Sequence, residues 1–273
     1  MKRFLFALAL MAMSSGPTLA LDYSAQSSEQ LIDELTALDA QAPGIDDSGV
    51  YDAFMAEDIM PEFRGGLLPV DTPSIPPQMR ELVRRGVIAL PDLIAHLNDK
   101  RPTKLLVGGI DPMETVGGQF YADEYDARDL QAKVSSCSMT NSCRSFDHKY
   151  SVKIGDICEV LVGQIVNRKL LAVRYQPTAI LYVNSPIESP SLVERIRKEW
   201  NGLDAKAHEA SLLSDLRESD DDISSWRSYR DALVRLRFYY PKTYAALSGK
   251  DLVKRNAFET EEKEQKARES ARR

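Results

Sequence analysis

The sequence is poor in the residues that most often carry chemistry. Its 273 residues hold three histidines (His96, His148, His208) and three cysteines (Cys137, Cys143, Cys158). No serine stands in a GxSxG elbow and no cysteine in a papain-like context. HEASLLSD, beginning at His208, lacks the second histidine of HExxH, so its spacing excludes a zincin. Two VGG triplets, at 107–109 and 116–118, are not followed by Gly-Lys-Ser/Thr; they read as turn glycines rather than a phosphate loop. Asp220-Asp221-Asp222 lacks the alternating register and closing glutamate of a calcium loop and reads as a helix start. Beyond the N-terminus no apolar run is long enough to cross a bilayer.

The one conspicuous apolar run is at the start. In MKRFLFALALMAMSSGPTLA, Lys2 and Arg3 precede a short hydrophobic segment, and Thr18-Leu19-Ala20 supplies small residues for cleavage. That order is the signature of an export signal over residues 1–20. Leu21 follows the expected cut, and without a cysteine there a lipoprotein anchor is not expected. The expected address is the bacterial periplasm, with no stable membrane anchor. Removing residues 1–20 leaves 33 basic against 41 acidic residues, a net charge of −8. Such a balance argues against nucleic acid as a partner, because binding it depends on Lys and Arg neutralising phosphates. In an oxidising compartment Cys137 and Cys143, six apart in SSCSMTNSCRS, are candidates for a disulfide. Free thiols, or a zinc site completed by His148, are the alternatives, the second with a wider spacing than usual. Cys158 lies within an apolar helical run and reads as a buried thiol.

Helical periodicity dominates the rest of the chain. Residues 21–75 form an N-terminal helical arm and a linker. Leu31, Ile32, Leu35 and Leu38 share a face behind a Ser27/Ser28 cap, and a weaker helical pattern runs through VYDAFMAEDIM. Residues 64–77 then carry two Gly and four Pro, as an extended linker would. A helical domain is expected over 76–250. Met79, Leu82 and Val83 face one way, Gly86 stops that helix, and Leu90, Leu93, Ile94 and Leu97 build the next, with Pro91 in its first turn. An irregular insertion is expected over 104–149. From 154 to 166 the pattern is apolar almost all round, which marks a helix buried on several sides. AILYV suggests a short extended segment, and Leu192, Ile196 and Trp200 define another helical face, capped either by Ser189 before Pro190 or by a Ser191/Glu194 capping box. Residues 251–273 form a charged tail, expected as a frayed helix or disordered.

The words RRGVIALPDLIAHLND resemble the end of one helix, the tight turn and the inner helix of a HEAT-like repeat. That resemblance implies an all-α or nearly all-α array of αα-hairpins, whose surfaces commonly bind proteins. The stretch 150–200 resembles exported bacterial proteins of unknown function and implies no activity.

One constellation has the make-up of a site. Gln164, Asn167, Arg168, Arg174, Tyr175, Gln176 and Asn184 cluster around the end of the most buried helix and the segment after it. Polar groups flanking an apolar core must be hydrogen-bonded; they either anchor irregular backbone or face a ligand. The leading expectation is an exported, non-enzymatic binding protein of the envelope, with an immunity-type inhibitor as one concrete form. Its partner would be another envelope or secreted protein, met by the helix-hairpin face and the 104–149 loop. No catalytic residue, metal or cofactor is implied. The rival is an exported hydrolase or metal enzyme using the 137–148 loop, with Asp147 and His148, or the 164–184 polar cluster.

Overall fold

The computed structural model describes residues 23–39, 54–57, 75–108, 125, 149–175, 181–218 and 229–272. Among them 70% are helical, and the strands form two separate two-stranded antiparallel ladders. The nearly all-α class expected from periodicity therefore holds.

The first α-helix among the described residues is α1 (Ser28–Glu34), where Ser27 accepts from the Gln30 N–H and Gln30 reaches back to the Ser27 N–H. This capping box satisfies two of the donors that a helix start leaves free. Helices α2 (Pro77–Arg85) and α3 (Leu90–Ala95) follow. Gly86 stops α2 at φ +58°, and a Cβ there would lie 2.8 Å from the Tyr239 ring, so both backbone and packing require glycine. Helices α2 and α3 pack on α4 (Ile154–Val166), and α1 packs on α2 and α3. Leu31, Ile32, Met79, Leu82, Leu93 and Leu97 are fully buried on the faces predicted from spacing. The N-terminal arm is thus part of the main core.

Helix α4 is the centre of that core: every residue from Ile154 to Val166 except Gln164 is buried, Cys158 included, and Cys158 is a free thiol. Its N-terminus nearly touches the preceding turn. The Ile154 and Gly155 N–H groups donate to Arg101 O and Asp99 O, each at 3.0 Å. A Cβ on Gly155 would lie 2.5 Å from Leu97 O, which is why a glycine stands in a buried helix despite its cost in propensity.

The expected irregular insertion has ordered ends. β1 (Pro102–Gly108) pairs with β2 (Lys149–Lys153) in register Leu106↔Ser151 and Val107↔Tyr150. Leu105 and Val107 turn inward while Lys104 and Leu106 turn outward, the alternation of a half-buried strand. The short extended segment expected at AILYV is β4 (Leu181–Val183), paired with β3 (Val173–Tyr175). Of the segment VYDAFMAEDIM only Phe54–Glu57 is described, and it forms a turn, where the Met55 N–H is taken by Gln164 Oε1 at 3.2 Å; the rest of that helical pattern lies outside the described residues.

Among the described residues after β4 lie α5 (Pro190–Trp200), α6 (Ala205–Glu218), α7 (Tyr229–Tyr239), the short α8 (Pro241–Ala245) and α9 (Gly249–Arg272). Ser189 caps α5 through the Leu192 N–H, and Asp204 accepts from the Ala207 N–H at the start of α6. Helix α5 joins the main core through Leu192, Ile196 and Trp200. Helices α6–α9 surround a second cluster built on Leu212, Leu216, Leu233, Leu236, Leu247 and Phe258. The tail expected to fray is therefore a 24-residue helix. Phe258 is buried, and Arg237 pairs with Glu262 at 2.7 Å and with Glu57 at 3.1 Å.

Candidate functional site

Three of the seven predicted site residues, Gln164, Asn167 and Arg168, meet at the C-terminus of α4. Asn167 ends the helix in the left-handed conformation, φ 59° and ψ 49°. The chain then folds back so tightly that a Cβ on Gly163 would lie 2.6 Å from Arg168 O. A helix end leaves its last four carbonyls without intrahelical partners. Here side chains reach all four. Arg235 Nε donates to Gln164 O at 2.7 Å, and His208 Nε2 to Ile165 O at 2.9 Å. Arg168 Nη1 lies 3.2 Å from Val166 O and 2.8 Å from Asn167 O. Two guanidinium groups also suit the negative end of the helix dipole.

The charges in this cap are buried and arranged accordingly. Arg168 forms an ion pair with Asp215 at 2.6 Å, their side chains only 7% and 1% exposed. Asn167 Nδ2 donates to the same carboxylate at 2.9 Å. The Arg168 guanidinium lies 5.1 Å from the centre of the Trp200 ring, and that of Arg235 4.9 Å from Phe54. Because a carbonyl only accepts, the His208 bond to Ile165 O places its proton on Nε2. Burial pushes His208 down to about 4, so it is neutral at physiological pH. Burial also lowers the Arg235 pKa.

Of the other predicted residues, Asn184 makes its contacts elsewhere. Asn184 is buried, with its N–H donating to Ala172 O at 2.8 Å and Nδ2 to Tyr125 O at 3.3 Å. Arg174 and Tyr175 lie on β3, opposite Tyr182 and Leu181. Gln176 and the 137–148 loop, with Cys137, Cys143, Asp147 and His148, lie outside the described residues. Among the described residues no group of three His, Cys, Asp or Glu side chains is placed to hold a metal.

A second buried cluster, missed from sequence, sits at the opposite end of α4. Asp156 is fully buried and accepts from Ser185 Oγ at 2.6 Å, Tyr150 Oη at 2.8 Å and the Lys153 N–H at 2.8 Å. Burial raises the Asp156 and Tyr150 pKa values. Lys153 Nζ is 3.1 Å from Tyr150 Oη. The carboxylate favours the helix N-terminus and ties β2 to the turn before α5. The only sequence signal was Asp156 in the first turn, since its partner Ser185 is 29 residues away.

On the surface, the large apolar side chains most exposed among the described residues are Ile88 (75%), Leu106 (60%) and Val253 (68%). Ile88 lies in the turn between α2 and α3, and Leu106 on the outward face of β1. His96, at the end of α3, bridges Glu29 at 2.8 Å and Asp99 at 2.9 Å. No described helix is long and apolar enough to cross a membrane. No family model, curated protein or solved structure matches the chain.

Proposed function

We propose that the protein is an exported, non-enzymatic binding protein of the bacterial envelope, engaging another envelope or secreted protein. The observation that carries this reading is the exposure of Ile88 and Leu106. The contact surface expected from sequence is the helix-hairpin face together with the 104–149 loop; Ile88 lies in the turn of that hairpin and Leu106 near the start of that loop. Exposed aliphatic side chains gain most when a partner removes them from water. The polar groups at both ends of α4 support the same reading, since their hydrogen bonds are spent on backbone and on one another. The HEAT-like character of the α2–α3 segment belongs to this proposal, as does the immunity-type form, in which the bound partner is an enzyme of the same compartment.

The test is affinity capture with residues 21–273 from envelope and secreted fractions, run in parallel with an Ile88→Glu/Leu106→Glu double variant. A stoichiometric protein held by the native surface and lost from the folded variant supports the reading. Equal capture by both forms, or no partner at any salt concentration, overturns it.

A further inference from the structure

The cleft between α6 and the α8–α9 turn has the features of a small-ligand site that is separate from the proposed protein-contact face. Its volume is about 410 Å³, within the range of small-molecule clefts, roughly 300–1,000 Å³. Leu213, Ala246 and Leu247 supply apolar wall, with Leu247 anchored in the second core. Arg217, Lys242 and Asp251 supply the charges. Asp251 is already engaged by Arg217, Oδ2 to Nε at 3.1 Å. Lys242, by contrast, has no ion-pair partner among the described residues, so the charged side chains that line the cleft sum to one positive charge, while the Thr243 hydroxyl on the same wall is committed to the Glu209 carboxylate. Ser248 adds a hydroxyl to the same wall.

We infer that this cleft binds a small amphipathic carboxylate, its anionic head at Lys242 and Ser248 and its apolar tail on Leu213, Ala246 and Leu247. An unpaired ammonium beside apolar wall is complementary to a monoanion with a short hydrocarbon part. A polyanion is a poorer match, because a single uncommitted cation faces it and the whole chain is acidic, with a net charge of −6. A cation would meet the excess positive charge directly. The shared chemistry covers two sources, a free alkyl carboxylate and the C-terminus of a peptide.

The test is an amide chemical-shift titration of the mature chain, residues 21–273, with hexanoate, N-acetylleucine, hexanol and hexylammonium. Hexanoate or N-acetylleucine is expected to give saturable shifts confined to Leu213, Arg217 and residues 242–251, with a Kd on the order of 1 mM. The tighter of the two carboxylates identifies the source. Hexanol and hexylammonium are expected to bind at least about tenfold more weakly. Lys242 is exposed, so Lys242→Gln should keep the fold and weaken carboxylate binding about threefold to fivefold, the scale of one exposed charge pair. Shifts absent or spread elsewhere, equal binding of hexanol, or an unchanged Kd in Lys242→Gln would overturn the inference. Hexanoate binding should be unchanged in the Ile88→Glu/Leu106→Glu variant, which keeps the fate of this site distinct from that of the protein-contact face.

Discussion

Single residues set the limits of what the central helix tolerates. Gly155 admits the carbonyl of Leu97 to within 2.5 Å of where a Cβ would stand. That atom belongs to backbone whose neighbours Asp99 and Arg101 cap α4, so it has little freedom to withdraw. Gly155→Ala should therefore destabilise by about 1–3 kcal/mol, the usual scale of overpacking, measured by chemical denaturation. A variant as stable as the native protein would contradict the close approach. At the other end, Asp215→Ala leaves the Arg168 guanidinium buried without its carboxylate. The expected loss is about 3–5 kcal/mol. Pairing it with Arg168→Met should cost less than the sum of the two single changes, because the stranded charge is gone. A double-mutant cycle reads this coupling directly.

At the scale of elements, the helices were legible because each carries its own periodic apolar face and its own stop. Ser27 and Gly86 act where local spacing put them, and of the two caps that spacing offered the 190–200 helix, Ser189 is the one used. What escaped was non-local. The carbonyl caps on α4 come from Arg235, 71 residues from Gln164, and the carboxylate that holds Arg168 is 47 residues away. No window on the sequence joins them, so the polar cluster around Gln164–Arg168 had the composition of a site while its geometry is that of a cap. The β1–β2 ladder escaped for the same reason, since Gly108 finds its partner at Lys149. The charged stretch after Asp251 looked unable to fold by itself, and its order comes from Phe258 and from ion pairs to α7.

Docking of α1 on the rest shows how such non-local contacts respond to pH. Burial lowers the His96 pKa, but hydrogen bonds to Asp99 and Glu29 outweigh this and hold it above its ordinary 6.5. Burial raises Asp99, yet hydrogen bonds from Arg101 dominate and hold it at about 2. The His96 contribution is thus fully present below 6.5 and lost as pH rises through the raised value. The Asp99 contribution is present above 3.8 and lost as pH falls towards about 2. Both operate fully between these limits. His96→Gln should lower stability by about 0.5–1 kcal/mol at pH 5.5, the scale of a partly exposed pair, and have almost no effect at pH 8.5. Thermal melts of the two proteins at both pH values check this; an equal loss at the two would show that the charge on His96 is irrelevant.

For the molecule as a whole, two clusters of apolar side chains are joined by shared and bridging contacts. Val234 packs against both, and Tyr239, from the helix that lines the second, donates to Val83 O at 2.5 Å over Gly86. The division into arm, domain and tail drawn from composition does not follow these cores. Leu31 and Ile32 of the arm complete the first, and Phe258 of the tail completes the second. The polar groups around α4 hold this framework, and the proposed binding of a protein partner rests on the exposed Ile88 and Leu106. The most direct test is the equilibrium affinity of the captured partner for residues 21–273 and for the Ile88→Glu/Leu106→Glu variant, with thermal melts of both. At least about a tenfold loss of affinity, a change of about 1.4 kcal/mol or more, is expected at unchanged melting temperature. An unchanged affinity would contradict it and place recognition elsewhere on the molecule.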